Sequence, residues 1–184
     1  MPRQVHLFER PIRFVAGTVG QPGERTFYLQ ASDETGRTVS VALEKAQVQV
    51  LADRMNELID EVAGRVDAVI PSVADVDDLE PLTAPIDEEF RVAAMGLAWD
   101  GSAEAVVVEA VAAGDEPIDE EAILSDSDEG PDALRVTITP MAARAFVARA
   151  RRVVAAGRPP CPLCGAPLDP QGHICPRRNG HYVN

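Results

Sequence analysis

Residues 134–157 read LRVTITPMAARAFVARARRVVAAG, and they hold the unit from which the fold is built. Leu134, Val136 and Ile138 alternate with polar residues, the period of a strand with one apolar face. Thr139 and Pro140 supply a helix cap and a first-turn residue. Apolar residues at helical spacing follow to Ala156, where Gly157 and Pro159-Pro160 predict a stop.

The same strand-helix unit recurs upstream. TVSVAL (38–43) places Val39, Val41 and Leu43 inward, and a helix is predicted from about Glu44 to Ala63. Its apolar positions are Val48, Leu51, Met55, Leu58, Ile59 and Val62, and Gly64 is its predicted stop. A shift of 95 residues brings Val39, Val41 and Leu43 onto Leu134, Val136 and Ile138. It also brings Leu51 onto Phe146, Arg54 onto Arg149, Leu58 onto Val153 and Ile59 onto Val154.

Further period-two segments precede each unit. RTFYLQAS (25–32) sets Phe27, Leu29 and Ala31 against Tyr28 and Gln30, and DETGR (33–37) is a turn. Residues 5–20 read as an extended segment interrupted by Pro11 and Gly17. FRVAAMGLAW and AEAVVVEAV read as a hairpin turning at Asp100-Gly101. RFVAGT resembles VAAMGL, so the pattern suggests a βββα duplication with halves 1–64 and 89–157. Residues 67–89, rich in Pro and acids, are a predicted connecting loop, and 114–133, with nine acids and two prolines, a solvated insertion in a hairpin. The expected class is α+β: a largely antiparallel sheet with two amphipathic helices on one face. Residues 1–157 form the body and 158–184 a zinc-ribbon-like tail.

Net charge is −13, but it is unevenly placed. Residues 1–134 carry nine of the 17 Lys and Arg and 29 of the 30 Asp and Glu, a net of −20. Residues 135–184 carry eight Arg and one Asp, a net of +7. Such a basic end either meets an anionic partner or folds against its own acidic body. Arg144, Arg149, Arg151, Arg152, Arg177 and Arg178 are the anion-binding candidates, because a guanidinium grips phosphate oxygens bidentately. The body's charge opposes nucleic acid, and Phe146 and Tyr182 are the only aromatics in this end for base stacking.

All three cysteines and two of three histidines lie in residues 161–181, CPLCGAPLDPQGHICPRRNGH. Cys161-x2-Cys164-Gly165 is a knuckle: the spacer lets both thiolates reach one ion, and Gly allows the tight turn. Cys175 is the third ligand. The fourth is His173 or His181. Spacing favours His173, since residues i and i+2 of an extended segment share a side. Cys3His is a closed structural zinc set, so Zn2+ is the expected cofactor.

Little else points to chemistry. The chain contains no GxGxxG, P-loop, GxSxG or HExxH. Asp126, Asp128 and Glu129 lack EF-hand spacing, and His6 has no Cys or Ser beside it. No apolar run approaches the ~20 residues of a membrane span. The first residues show no secretory h-region, so a cytoplasmic protein is expected.

The segments HLFERPIRFVAGTVGQPGERTFYLQA, VALEKAQVQVLADRM and RPPCPLCGAPLDPQGHICPRRNGH resemble an actinobacterial family of uncharacterised cytoplasmic proteins. The resemblance covers almost the whole chain, and its plainest pattern, CPxCGxPxDPxGHxCPRxNG, runs from Cys161 to Gly180. That pattern contains His173 and stops before His181. It implies a shared fold and no catalytic residue. Gene neighbours of the family, a histidine-phosphatase-like and a lipid-kinase-like protein, imply phosphate-related metabolism. The leading expectation is a non-enzymatic zinc-binding adaptor whose partner is another protein. A nucleic-acid or transcription-machinery binder using the Arg-rich helix and ribbon is the alternative, and an enzyme with a carboxylate site is the third.

Overall fold

The computed structural model describes residues 3–65, 70, 72, 74, 77–114, 123–127, 129–168 and 172–177. Strands β1 (Val5–Glu9), β2 (Arg13–Val19), β3 (Thr26–Ser32) and β4 (Thr38–Leu43) precede helix α1 (Lys45–Ala63). Strands β5 (Glu88–Asp100), β6 (Ala105–Ala112) and β7 (Ala133–Ile138) precede helix α2 (Pro140–Ala155). The seven strands form one mixed sheet in the order β1-β7-β6-β5-β4-β3-β2. The class is α+β. The β1–β7 and β4–β5 pairs are parallel and the other four antiparallel.

A repeated order of three strands and a helix is visible here. Strands β2-β3-β4 form one antiparallel meander ending in α1, and β5-β6-β7 form a second ending in α2. The two meanders lie side by side, joined by the parallel β4–β5 pair, with α1 as the crossover that a parallel connection requires. Residues related by the 95-residue shift share burial: Val39, Val41, Leu43 and Leu51 are buried, as are Leu134, Val136, Ile138 and Phe146. Arg54 breaks the pattern, exposed on α1 where Arg149 is buried on α2. The hairpin insertion 114–133 joins β6 to β7 where DETGR joins β3 to β4.

The sheet must curl. Laid flat, its outer strands would stand roughly 29 Å apart, six spacings of ~4.8 Å. Yet only Arg10, Pro11 and Ile12 separate β1 from β2, which lie at opposite edges. Four Cα steps reach at most ~14 Å. The edges are therefore drawn together, and β1 and β2 act as two parts of one broken strand. Arg37, in the β3–β4 turn, confirms the closure by donating to the Leu7 carbonyl of β1 and lying over the Phe8 ring. The break falls at Arg10–Ile12. Gly17, expected to interrupt the segment, lies inside β2 and is paired with Tyr28.

Both helices fill the same side of the curled sheet. Val48, Leu51, Met55 and Ile59 of α1 and Ala143, Phe146, Val147 and Ala150 of α2 join the inward residues of the strands in one core. The rings of Phe14 and Phe146 stack with centroids 4.8 Å apart. Helix α1 is capped by a reciprocal box between Glu44 and Gln47, and α2 by the Thr139 hydroxyl, which accepts the Ala142 N–H.

The other side of the sheet is covered too, which the alternation did not foretell. Gln30 is buried there, donating to Ser40 and Thr83 and accepting from the Thr83 N–H. Leu82 lies over Gly17, where an added Cβ would stand 2.5 Å from its Cγ. Ile123 and Leu124 lie likewise over Gly96, in the space such a Cβ would take. Parts of both predicted loops are thus packed. Residues 115–122 and 128 of the acidic insertion lie outside the described residues. The β5–β6 connection is also longer than Asp100-Gly101: β5 runs through Asp100 and a turn occupies Gly101–Glu104. Asp100 organises it by accepting the Ser102 hydroxyl and the N–H groups of Ser102 and Ala103. Those bonds, the hydroxyl's first, hold its carboxyl below the usual range. No helix among the described residues is long and apolar enough to cross a membrane.

Candidate metal centre

The chain leaves α2 at Ala156 and forms a knuckle. Pro160 and Pro167 bridge, the Cys161 N–H donates to the Ala166 carbonyl, and the Gly165 N–H donates to the Cys161 carbonyl. Gly165 takes φ +76°, the left-handed region that glycine enters without a Cβ clash. The knuckle aims N–H groups at sulfur. Those of Cys164 and Leu163 point to Cys161 and bring its thiol below the usual range. The Ala166 N–H acts the same way on Cys164. There, desolvation and the neighbouring sulfurs of Cys175 and Cys161 outweigh it and push that thiol up.

The four sequence-predicted donors converge. The ligand atoms of Cys161, Cys164, His173 and Cys175 lie within 4.8 Å of one another. Cys161 Sγ and Cys175 Sγ are 3.9 Å apart, and Cys164 Sγ lies 3.2 Å from His173 Nε2. A disulfide needs ~2.05 Å. Two thiolates on one tetrahedral ion stand ~3.8 Å apart, and a thiolate and an imidazole ~3.5 Å. The sulfur pair matches this spacing, and the sulfur–nitrogen pair is a few tenths of an ångström inside it. Cys161 and Cys175 are buried, and Cys164 and His173 half-buried. His173 Nδ1 is buried without a hydrogen-bond partner among the described residues. The cluster could hold a metal ion with all four positions filled by protein. His181, the alternative ligand, and Arg178 lie outside the described residues.

The arginines of α2 are placed otherwise than an open anion surface would need. Arg149 is buried and donates to the Ala16 carbonyl and to the carboxylate and carbonyl of Asp78. Burial pulls its guanidinium below the ordinary value, against the attraction of Asp78. Arg152 reaches the Asp78 carbonyl and the Asp77 carboxylate. Arg144 bonds Asn56 and Asp60 of α1, and Arg151 bonds Asp53. Asp78 is the hub the sequence did not reveal: Arg13 also grips it through two bonds of 2.6 and 2.9 Å, and its carboxyl is held low by Arg13 above all. Arg177 is exposed and has no ion-pair partner among the described residues.

A second buried charge was also invisible in sequence. Glu109, on β6, is 0% exposed and receives Arg3 and Arg135, each at 2.5 Å. Asp126 adds a bond to Arg135 at 2.6 Å. This carboxylate is clamped by two guanidiniums and faces no second carboxylate at bonding distance among the described residues.

The chain belongs to the family described as proteins of unknown function, DUF3090, whose model matches residues 6–175. The match runs through Cys175 and so spans all four clustered donors while ending before His181. No curated protein and no solved structure matches the chain.

Proposed function

We propose that this DUF3090 protein is a non-enzymatic adaptor whose C-terminal module is folded around a structural zinc ion held by Cys161, Cys164, His173 and Cys175. The observation that carries the reading is the convergence of three sulfurs and one imidazole within 4.8 Å. Thiolate and imidazole together suit zinc, and four protein ligands leave no coordination position for a reacting water. Among the described residues, none of 158–168 or 172–177 belongs to the hydrophobic core of the body. A segment this short cannot order itself by burial, so the ion supplies its folding free energy. Its thiols are then unavailable as nucleophiles, and what remains for the module to offer is shape. Free thiols and a metal fit a reducing compartment, the cytoplasm.

Another protein is the partner this reading favours. Arg144, Arg149, Arg151 and Arg152 are engaged by the chain's own carboxylates and carbonyls, which lends less support to a nucleic-acid surface on α2. Glu109 is neutralised in place, which lends less support to a carboxylate enzyme. The test is capture from native cytoplasm with zinc-loaded and zinc-stripped protein side by side. A partner retained only by the loaded form is expected. Identical captures from both forms would sink the adaptor reading.

A further inference from the structure

The described chain exposes seven large apolar side chains: Leu7, Ile12, Val19, Val50, Leu79, Leu163 and Ile174. Five belong to the body, where exposed hydrophobes are common. The remaining two belong to the metal cluster. Leu163 stands between Cys161 and Cys164, and Ile174 between His173 and Cys175. Ile174, at 83%, is the most exposed of the seven, and Leu163 is 51% exposed.

Their position follows from the ligands. His173 and Cys175 turn inward to the cluster, so the residue between them in an extended segment points outward. Leu163 lies inside the knuckle closed by the Cys161 N–H to Ala166 and Gly165 N–H to Cys161 bonds, which ties its backbone to the site while its side chain is half exposed. An ion here holds both apolar side chains on a fixed backbone, so little ordering is lost when they are covered.

The charge carried by this end of the sequence bears on what covers them. Residues 158–184 carry Arg158, Arg177 and Arg178 against Asp169 alone, while the chain as a whole is −13. Arg177, two residues beyond Cys175, is exposed and without an ion-pair partner among the described residues. The acidic body repels an acidic partner, so such a partner is drawn to this end alone. With the adaptor reading as premise, we infer that Leu163 and Ile174 anchor an acidic protein segment bearing large apolar residues, with Arg177 on the rim. Two anchors cover far less than the 1,200–2,000 Å² typical of a stable complex, so the contact is of the weak, transient kind.

Random peptides displayed against the full-length zinc-loaded protein test this. Leu163→Ser and Ile174→Ser variants serve for counter-selection, and a 20-nucleotide single strand serves as an anionic competitor. Zinc content is measured on each variant. Enriched peptides should carry net negative charge and at least two large apolar residues. Each variant should weaken a selected peptide about tenfold at unchanged zinc content. Arg177→Ala should weaken it less and flatten its salt dependence. No enrichment over the variants, enrichment of basic or neutral peptides, or tighter binding of the oligonucleotide would overturn the inference. Loss of the metal reading would show separately, as wild-type protein without stoichiometric zinc.

Discussion

Replacing Arg149 with methionine keeps the apolar stem and removes the guanidinium that joins α2 to β2 and to the segment around Asp78. The side chain is 6% exposed and makes three hydrogen bonds of 2.7 to 2.8 Å. Two losses dominate. The Ala16 carbonyl, on the edge strand, is left buried without that donor, at about 1–3 kcal/mol. The charge-assisted bond to Asp78 also goes, but Arg13 remains and that carboxylate is 28% exposed, so its share is reduced to about 1 kcal/mol. The methionine escapes the desolvation that burdens a buried guanidinium, which offsets part of both. The net expectation is a loss of about 2–3 kcal/mol, or a fall in Tm of about 5–10 °C for a chain of this size. Arg151→Met is the control: its pair with Asp53 is about half exposed on both sides, and such pairs contribute about 0–1 kcal/mol. Urea and thermal unfolding at fixed zinc, followed by far-ultraviolet circular dichroism and by Trp99 fluorescence, measure the difference. Equal effects of the two substitutions, or an Arg149→Met variant within ~0.5 kcal/mol of the parent, would refute the view that α2's arginines are structural.

Three further outcomes are expected. Gly17→Ala should cost about 1–3 kcal/mol because its Cβ would meet Leu82 at 2.5 Å, and adding Leu82→Ala should recover most of that cost; a neutral single variant would count against close packing on the outer side. Asp78 has a depressed carboxyl, so its contribution is fully present above the unfolded value of ~3.9. It is lost as pH falls through the lower folded value. Unfolding measured from pH 6 to 2.5 should therefore lose less stability on acidification in Asp78→Asn than in the parent, and parallel curves would contradict this. Cys175→Ser should abolish amide protection in 158–177 while leaving that of the strands and α2 within about twofold, because none of the described tail residues belongs to the core; simultaneous loss of body protection would show the module to be integral to the core.

Much of this architecture is written locally. The alternation at 26–32 and 38–43, the apolar spacing of α1 and α2, and the 95-residue register each depend on neighbours in sequence, and each corresponds to an element or a shared burial pattern. The donor cluster was legible for the same reason, since Cys161, Cys164, His173 and Cys175 fall within 15 residues. What escaped reading is non-local. Strand β1 pairs parallel with β7, 128 residues away, and nothing in VHLFE names that partner. Gln30 and Glu109 look like solvent-facing strand residues until the segments that cover them are placed. Charge counting likewise found the basic end of the chain but not its acceptors: Asp60, Asp53 and Asp78 lie 84, 98 and 71 residues from their arginines.

X-ray absorption at the zinc edge, on protein purified without added metal or chelator, tests the central claim most directly. One zinc per chain is expected, with three sulfur neighbours at about 2.3 Å and one nitrogen at about 2.0–2.1 Å. A substoichiometric metal content, or a shell of oxygen and nitrogen without sulfur, would contradict it.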